Sequence, residues 1–450
     1  MTNGSLLSVI LAAGEGTRMK SARPKPLHCV AGRSLLGHAM ASAKSDGDGH
    51  FAVVVGPNMD DVRDEVAKAD PSASIYVQET RNGTADAVLA ARPAIAAHDG
   101  DVIVLFCDTA LLQAETIARL RAALDQGANI AVLGFEAADP TGYGRLLTDP
   151  DGSLIAIREH RDASPDEQKV RLCNSGIMAF RCPDLLALLG EISNDNAKSE
   201  FYLTDIVEIG RRQGLRCVAV SGPEAELLGV NDRSELATVE ALFQQRLRAA
   251  AMANGATLIA PETVWFNFDT VTGRDVVIEP NVFFGPGVVV EDNVTILANC
   301  HIEGARLGSG ARVGPFARVR PKTELGAGAR VGNFVEVKNV TMAAGAKANH
   351  LAYLGDGSVG TAANVGAGTI FCNYDGFNKN RTEIGDNAFI GSNSSLVAPV
   401  RIGTGAFVGS GSVITRDVAP DALALERSQQ SVREGWAAKF RAMMSRKKNG

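Results

Sequence analysis

The stretch Leu307-Gly308-Ser309-Gly310-Ala311-Arg312-Val313-Gly314-Pro315-Phe316-Ala317-Arg318-Val319 places an aliphatic residue at every sixth position. The spacing extends both ways, from about Val276 to Pro420. Ile278, Phe284, Val290, Ile296 and Ile302 hold one register. A one-residue deletion shifts it to Leu307, Val313, Val319, Leu325, Val331 and Val337. Ile384, Ile390, Leu396, Ile402, Val408 and Ile414 hold a third. A period of six matches neither the helical turn of about 3.6 residues nor the alternation of a simple strand. It predicts a parallel β-helix of hexapeptide repeats, each unit giving one short strand and one corner. The hexad residue points inward and glycine-rich positions turn the corners. Three hexads close a triangular coil, and coils stack at the strand spacing of roughly 4.8 Å. Residues eighteen apart then lie above one another wherever the register is unbroken. A glycine-rich β-sandwich would not keep apolar positions in phase over so long a run.

The 450 residues suggest about two to four domains. A formal net charge of −6 gives no basic footprint for nucleic acid. No apolar run approaches the roughly 18 residues of a membrane span, so no membrane insertion is expected. Leu6 to Ala13 is apolar, but Met1-Thr2-Asn3-Gly4-Ser5 lacks the basic start of a secretory leader. The seven cysteines are scattered without metal-like pairing. A reduced, cytoplasmic protein is expected.

Leu6 to Leu11 reads as a buried parallel strand. It runs into Ala12-Ala13-Gly14-Glu15-Gly16-Thr17-Arg18, where small residues let backbone approach a ligand and Arg18 and Lys25 add positive charge. A nucleotide or phosphate loop at the carboxyl end of the strand fits this pattern, as does a plain structural turn. Further strands are expected at 51–55, 74–77, 102–106 and 130–133, separated by helices. That alternation predicts a doubly wound α/β domain whose ligands gather beyond the strand carboxyl ends. Asp108 lies just past one such end. It suits Mg²⁺ held against phosphates, or equally a cap on the next helix. Leu236, Val239, Phe243 and Leu247 make a helical stripe that Gly255 ends, a linking helix with no site on it.

In the repeat region Arg320 and Lys338 are eighteen apart, as are Arg318 and Glu336. Two stacked cations repel, which suggests an anion between them, a phosphate site. Arg318 over Glu336 reads as a plain salt bridge. His350 lies twelve residues past Lys338, in a stretch (341–351) without strong hexad residues. Beside an anion site it suits general base work. Asn373-Tyr374-Asp375-Gly376-Phe377-Asn378-Lys379 reads as a protruding loop. The tail from Ser428 is amphipathic, Trp436 and Phe440 against Arg433, Lys439, Arg441, Arg446, Lys447 and Lys448, or is simply solvated.

Leu11-Ala12-Ala13-Gly14-x-Gly16-Thr17-Arg18-Met19 with Pro24-Lys25-Pro26-Leu27 resembles the opening of sugar-1-phosphate nucleotidyltransferases. Gln78, Gly83-Thr84, Gly142-Tyr143-Gly144-Arg145, Glu159, Asn174-Ser175-Gly176, Tyr202-Leu203-Thr204-Asp205 and Gly229-Val230-Asn231 continue that pattern in order. Joined to a hexapeptide β-helix, essentially the whole chain resembles the bacterial family of bifunctional N-acetylglucosamine-1-phosphate uridylyltransferases/glucosamine-1-phosphate N-acetyltransferases. The fold so implied is a Rossmann-like nucleotidyltransferase domain (1–230), a linker helix (231–254) and a left-handed parallel β-helix with a C-terminal tail (255–450). The resemblance implies uridylyl transfer from UTP to N-acetylglucosamine 1-phosphate in the first domain. Leu11, Ala12, Ala13, Gly14, Gln78, Gly83 and Thr84 would read uracil and ribose, and Gly144, Glu159 and Asn174 the amino sugar. Asp108 and Asn231 would bind Mg²⁺, with Arg18 and Lys25 offsetting phosphate charge. In the second domain it implies acetyl-CoA-dependent N-acetylation of glucosamine 1-phosphate. His350 matches the base; Arg320, Lys338, Tyr353 and Asn364 match the sugar-phosphate site. Ala367, Asn373, Tyr374, Ser392, Ser410 and Arg427 match acetyl-CoA contacts. A homotrimer is implied, with the site shared between neighbouring prisms.

Two departures stand out. The family's aromatic-Gly-Asp-x-Pro is here Phe106-Cys107-Asp108-Thr109-Ala110, and Asp86 stands where some relatives carry His. Both bear on nucleotide affinity more than on reaction type. Rival readings are a nucleotidyltransferase for another sugar or base, and a subunit that kept both folds without catalysis.

Overall fold

The computed structural model describes residues 5–44, 49–196 and 199–448. Met1 to Gly4, part of the start read above for a leader, lie outside the described residues. The chain divides into two compact units, Met1–Leu247 and Arg248–Gly450.

The first unit is built on a nine-stranded sheet. Its strands are β1 (Leu6–Ala12), β2 (His50–Val55), β3 (Ser74–Val77), β4 (Asp101–Phe106), β5 (Ile130–Glu136), β6 (Arg145–Thr148), β7 (Leu154–Arg158), β8 (Leu172–Arg181) and β9 (Cys217–Ser221). The order across the sheet is β9-β5-β8-β4-β1-β2-β3, with β6 and β7 attached beside β8. β1 runs parallel to β2 and β4, whereas β8 lies antiparallel between β4 and β5. Alternate residues of β1 face opposite cores. Leu6, Ile10 and Ala12 meet helices α1 (Leu35–Lys44), α2 (Asp60–Ala69) and α4 (Ala114–Asp125) on one side. Leu7, Val9 and Leu11 meet α3 (Thr84–Ala90), α5 (Cys182–Leu189) and α6 (Ile206–Arg212) on the other. Apolar cover on both faces explains why every residue of β1 is buried and all but Ser8 are apolar. The linking helix forms as α7 (Arg233–Ala253), and Gly255 follows it at φ 99°.

The second unit is a stack of short parallel strands. One ladder runs Val277–Ile278, Thr295–Ile296, Arg312–Val313 and Arg330–Asn333, then Lys347–His350, Asn364–Val365, Phe389–Ile390 and Phe407–Val408. Hexad residues Ile278, Ile296, Val313, Ile390 and Val408 are fully buried, as the period of six requires. The deletion after Ile302 appears as pairing of Thr295 with Arg312, a coil one residue short. The stretch 341–351, which lacks large hexad residues, keeps the ladder but is again one residue short: Lys347 pairs with Arg330, and Ala346 and Ala348 are fully buried. Corners are turned by asparagine as well as glycine; Asn293, Asn299, Asn339 and Asn393 all have positive φ, which asparagine tolerates. Gly332 is different, because a Cβ there would land on the carbonyl oxygen of Asn349. The expected loop protrudes, closed by a bridge between Tyr374 and Lys379. The tail carries helix α8 (Trp436–Lys448), exposed throughout, with Trp436 and Phe440 stacked 5.1 Å apart on one side.

Candidate functional site

In the first unit the site forms at the carboxyl ends of β1 and β4. Beyond β1 the chain makes a left-handed turn at Gly16 (φ 63°), and a Cβ there would lie 2.5 Å from Lys25 Cβ. Glycine is therefore required for the Lys25 backbone to fold back against the loop. β4 delivers Asp108, and Val230 N–H donates to the Asp108 carbonyl at 3.1 Å, which brings Asn231 alongside. Lys25 Nζ then donates to Asp108 Oδ2 at 2.6 Å and to Asn231 Oδ1 at 3.4 Å. Two oxygens from separate segments thus converge on one cation. Burial works against the Lys25 ammonium, but the Asp108 carboxylate and its hydrogen bond outweigh this and raise its pKa. Arg18 is exposed on the turn Thr17–Met19, close enough for its charge to act on Lys25.

Leu11, Ala13, Gly14, Lys25, Gln78, Gly83, Thr84 and Asp108 line one cavity of about 270 Å³. Gly144, Glu159 and Asn174 line a second, of about 280 Å³. Thr84, Phe106 and Glu200 line both, so the two are neighbours. Nothing lies within 4 Å of a Cβ built on Gly14, which leaves its backbone open to a ligand. Ala12 does not line the cavity; it is buried among the α1–α2 core. Asn174 Oδ1 accepts from Gly176 N–H at 2.9 Å, where β8 slips register between Asn174 and Met178. Cys107 is buried with the same core cluster but does line the first cavity, its thiol pushed up to about 12 by burial first and the Asp108 carboxylate second. The departure from glycine therefore adds bulk at the edge of the cavity, near enough to Asp108 and Lys25 for both charges to act on the thiol. Sequence reading missed Arg81, whose Nε donates to the Ala13 carbonyl at 2.8 Å and whose Nη1 pairs with Glu15 at 2.7 Å.

On the prism the register places Lys338 over Gly355 and Glu336 over Tyr353. The expected ion pair of Arg318 with Glu336 is replaced: Arg320 Nη1 takes Glu336 Oε1 at 2.8 Å. Lys338 has its own carboxylate, Asp356, at 3.8 Å. The two stacked cations are thus each neutralised from the next coil, and their repulsion alone does not demand an anion. Among the described residues the buried Arg320 Nε–H has no hydrogen-bond partner. Asp356 also accepts from Asn339 Nδ2 at 2.7 Å and Asn373 Nδ2 at 2.6 Å. Burial raises its pKa, but these bonds and Lys338 more than offset that and lower it. A Cβ on Gly355 would lie 2.5 Å from the Tyr353 hydroxyl and 2.7 Å from Asn373 Nδ2, so Lys338, Tyr353 and Asn373 share one patch. Asn373 is buried there, whereas Tyr374 is exposed. Lys379, which sequence reading did not single out, reaches the same patch, where the neighbouring Lys338 lowers its pKa.

His350 lies on the ladder traced above from Val277 to Val408, not in the sheet of Lys338, with its Nδ1 2.5 Å from Asn333 Oδ1. With an amide oxygen as partner, Nδ1 carries the proton and Nε2 keeps the lone pair. The next coils stack on it as a column. Gly368 N–H donates to the His350 carbonyl at 3.3 Å, Asn393 N–H to Ala367 O at 2.7 Å, and Gly411 N–H to Ser392 O at 2.8 Å. Arg427 Nη1 closes the column on the Ser410 carbonyl at 3.0 Å. Asn364 pairs with Lys347 on the same ladder.

An α/β crevice lined by Lys25, Asp108 and a small-residue loop, in a chain that continues into a hexapeptide prism, defines a nucleotidyltransferase fused to a hexapeptide-repeat transferase. Comparison with known proteins agrees. A family model described as the MobA-like NTP transferase domain matches residues 8–165. The bacterial transferase hexapeptide model (six repeats) matches residues 269–304 and 381–416. Proteins named bifunctional protein GlmU from Azorhizobium caulinodans and Xanthobacter autotrophicus are each 58% identical over 448 residues, covering 100% of both chains. One from Paramagnetospirillum magneticum is 53% identical over 450 residues, covering 100% of this chain and 99% of its own. The chain belongs to the GlmU family of bifunctional transferases. Among the described residues, no helix is long and apolar enough to cross a membrane.

Proposed function

We propose that the chain makes UDP-N-acetylglucosamine in two steps, one on each unit. On the prism, glucosamine 1-phosphate is N-acetylated by acetyl-CoA. On the α/β unit, N-acetylglucosamine 1-phosphate takes the uridylyl group of UTP and pyrophosphate leaves. The observation that carries this is the convergence of Lys25, Asp108 and Asn231 beside two neighbouring cavities, one suited to a nucleotide and one to a sugar.

In uridylyl transfer a phosphate oxygen of the sugar attacks the α-phosphorus, and the bond to the bridging oxygen of pyrophosphate breaks. The chemistry is positioning and charge neutralisation, with no protein nucleophile. Leu11 to Gly14, Gln78, Gly83 and Thr84 hold base and ribose, and Gly144, Glu159 and Asn174 hold the sugar. Arg18 and Lys25 offset the charge that builds on the leaving group. Asp108 and Asn231 fit Mg²⁺, since their oxygens already face one cation, and would hold it together with the nucleotide phosphates. A metal held by these two residues would supply neutralisation of phosphate charge.

In acetyl transfer the sugar's ammonium gives a proton to His350 Nε2, the freed amine attacks the thioester carbonyl, and the CoA thiol departs. Arg320, Lys338, Tyr353 and Asn364, with Lys379, hold the sugar phosphate. Ala367, Asn373, Tyr374, Ser392, Ser410 and Arg427 hold acetyl-CoA. The active assembly is a homotrimer in the cytoplasm, acting on small molecules and not on nucleic acid. Exposed stacked pairs such as Phe316–Phe334 and Phe389–Phe407 support a prism that packs against its copies.

The test is incubation with glucosamine 1-phosphate, acetyl-CoA, UTP and Mg²⁺, following products by mass. Acetylated and then uridylylated sugar is expected; appearance of neither defeats the assignment.

A further inference from the structure

The side-chain amide of Gln78 has two N–H donors and one carbonyl acceptor. Its Nε2 lies 3.1 Å from the Gly83 carbonyl oxygen and 2.8 Å from Asp86 Oδ2. Carbonyl and carboxylate oxygens only accept, so turning the amide over would set Oε1 against two oxygens. Asp86 is held in place by the first turn of α3. That turn is anchored, because a Cβ on Gly83 would strike the Phe201 backbone and Ala85 N–H donates to Phe201 O at 3.0 Å. Gln78 is 6% exposed and lines the nucleotide-side cavity. With both N–H groups engaged, Oε1 is what it offers a ligand.

The geometry points to Asp86 as the residue that sets the base preference of the nucleotide site, by holding Gln78 so that it presents an acceptor and never a donor. This rests on the proposed reading of Gln78 as a base contact and deepens it. Once N1 carries the ribose, uracil has a single ring N–H, at N3, whereas cytosine has a lone pair there. Gln78 Oε1 accepts from the first and repels the second. Asp86 acts through Gln78 and is a positioning residue.

The experiment is a comparison of kcat/KM for UTP and CTP in the wild-type enzyme, Asp86→Ala and Asp86→Asn. The wild type should prefer UTP. Asp86→Ala leaves the amide only the Gly83 carbonyl and should lower the UTP/CTP ratio about 10-fold. Asp86→Asn keeps an acceptor oxygen and should restore the ratio to within about threefold of wild type. The ratio is internal to each preparation, so partial misfolding does not move it. Equal losses for UTP and CTP in Asp86→Ala, with the ratio unchanged, would overturn the proposal and leave Asp86 a merely structural residue. A wild-type enzyme without preference for UTP would instead overturn the base-contact reading of Gln78, and the lock with it.

Discussion

Lys25 and Asp108 meet at 2.6 Å although they are 83 positions apart and lie on loops after different strands. The carboxylate is what allows a largely buried ammonium to stay charged beside the cavity. Asp108→Asn removes that charge and one anionic oxygen of the proposed metal pair. Uridylyl transfer should fall at least about 10²-fold. Acetyl transfer should be unchanged, since its residues lie in the other unit. If both activities fell together in a folded protein, the two sites would not be independent.

His350→Ala should lower the turnover of acetyl transfer by about 10²–10⁴-fold with little change in sugar-phosphate KM. Asn333→Ala, which frees the ring tautomer, should lower it by about 10-fold. Lys338→Ala should act first on KM. Steady-state kinetics of the three variants, with uridylyl transfer as the folding control, separates these roles. A His350→Ala enzyme within about threefold of wild-type turnover takes His350 out of the mechanism.

Gly332→Ala tests the stacking itself. The added methyl meets the Asn349 carbonyl, immediately before His350, so the coil that carries the base must shift. A displacement of about 1 Å is enough to slow acetyl transfer by roughly 10²-fold. Uridylyl transfer again serves as the control, and a fully active Gly332→Ala enzyme would mean that this corner yields without moving His350.

The Asp205 carboxyl is pushed up to about 6, by burial first and by the neighbouring Glu208 carboxylate second. Unfolded, it titrates near the ordinary 3.8. Between these values the folded state binds the extra proton, so the Asp205 contribution to stability falls as pH rises through the window. Above it the carboxylate is ionised in both states and destabilises the fold. Asp205→Asn should therefore raise the melting temperature relative to wild type at pH 8, and the difference should vanish by about pH 4. A constant difference across that range would assign the effect to packing.

The prism was legible because an inward residue on every short strand must recur in phase, and large aliphatics mark that phase from Ile278 to Val337 and from Ile384 to Ile414. The coil of Ala346 and Ala348 was not, since a methyl carries little hydrophobic signal, although burial there is complete. Strand β8 was hidden by the polar residues at its bulge, Asn174 and Ser175, yet it joins β4 to β5 in the sheet. Spacing told which backbones stack but not which way long side chains lean. Arg320 reaches back to Glu336, and Arg318 is left beside it. Lys379 and Arg81 sit in loops, where no period relates a residue to its neighbours in space.

Phe389 follows its ladder partner Asn364 by 25 positions and precedes the next, Phe407, by 18. The surplus is spooled out as the Tyr374–Lys379 hairpin, and the coils above and below stack without notice of it. Recognition at that corner is thus a cassette on a shaft. Its length and composition can drift, or be exchanged by design, while the column from His350 to Arg427 keeps its pitch.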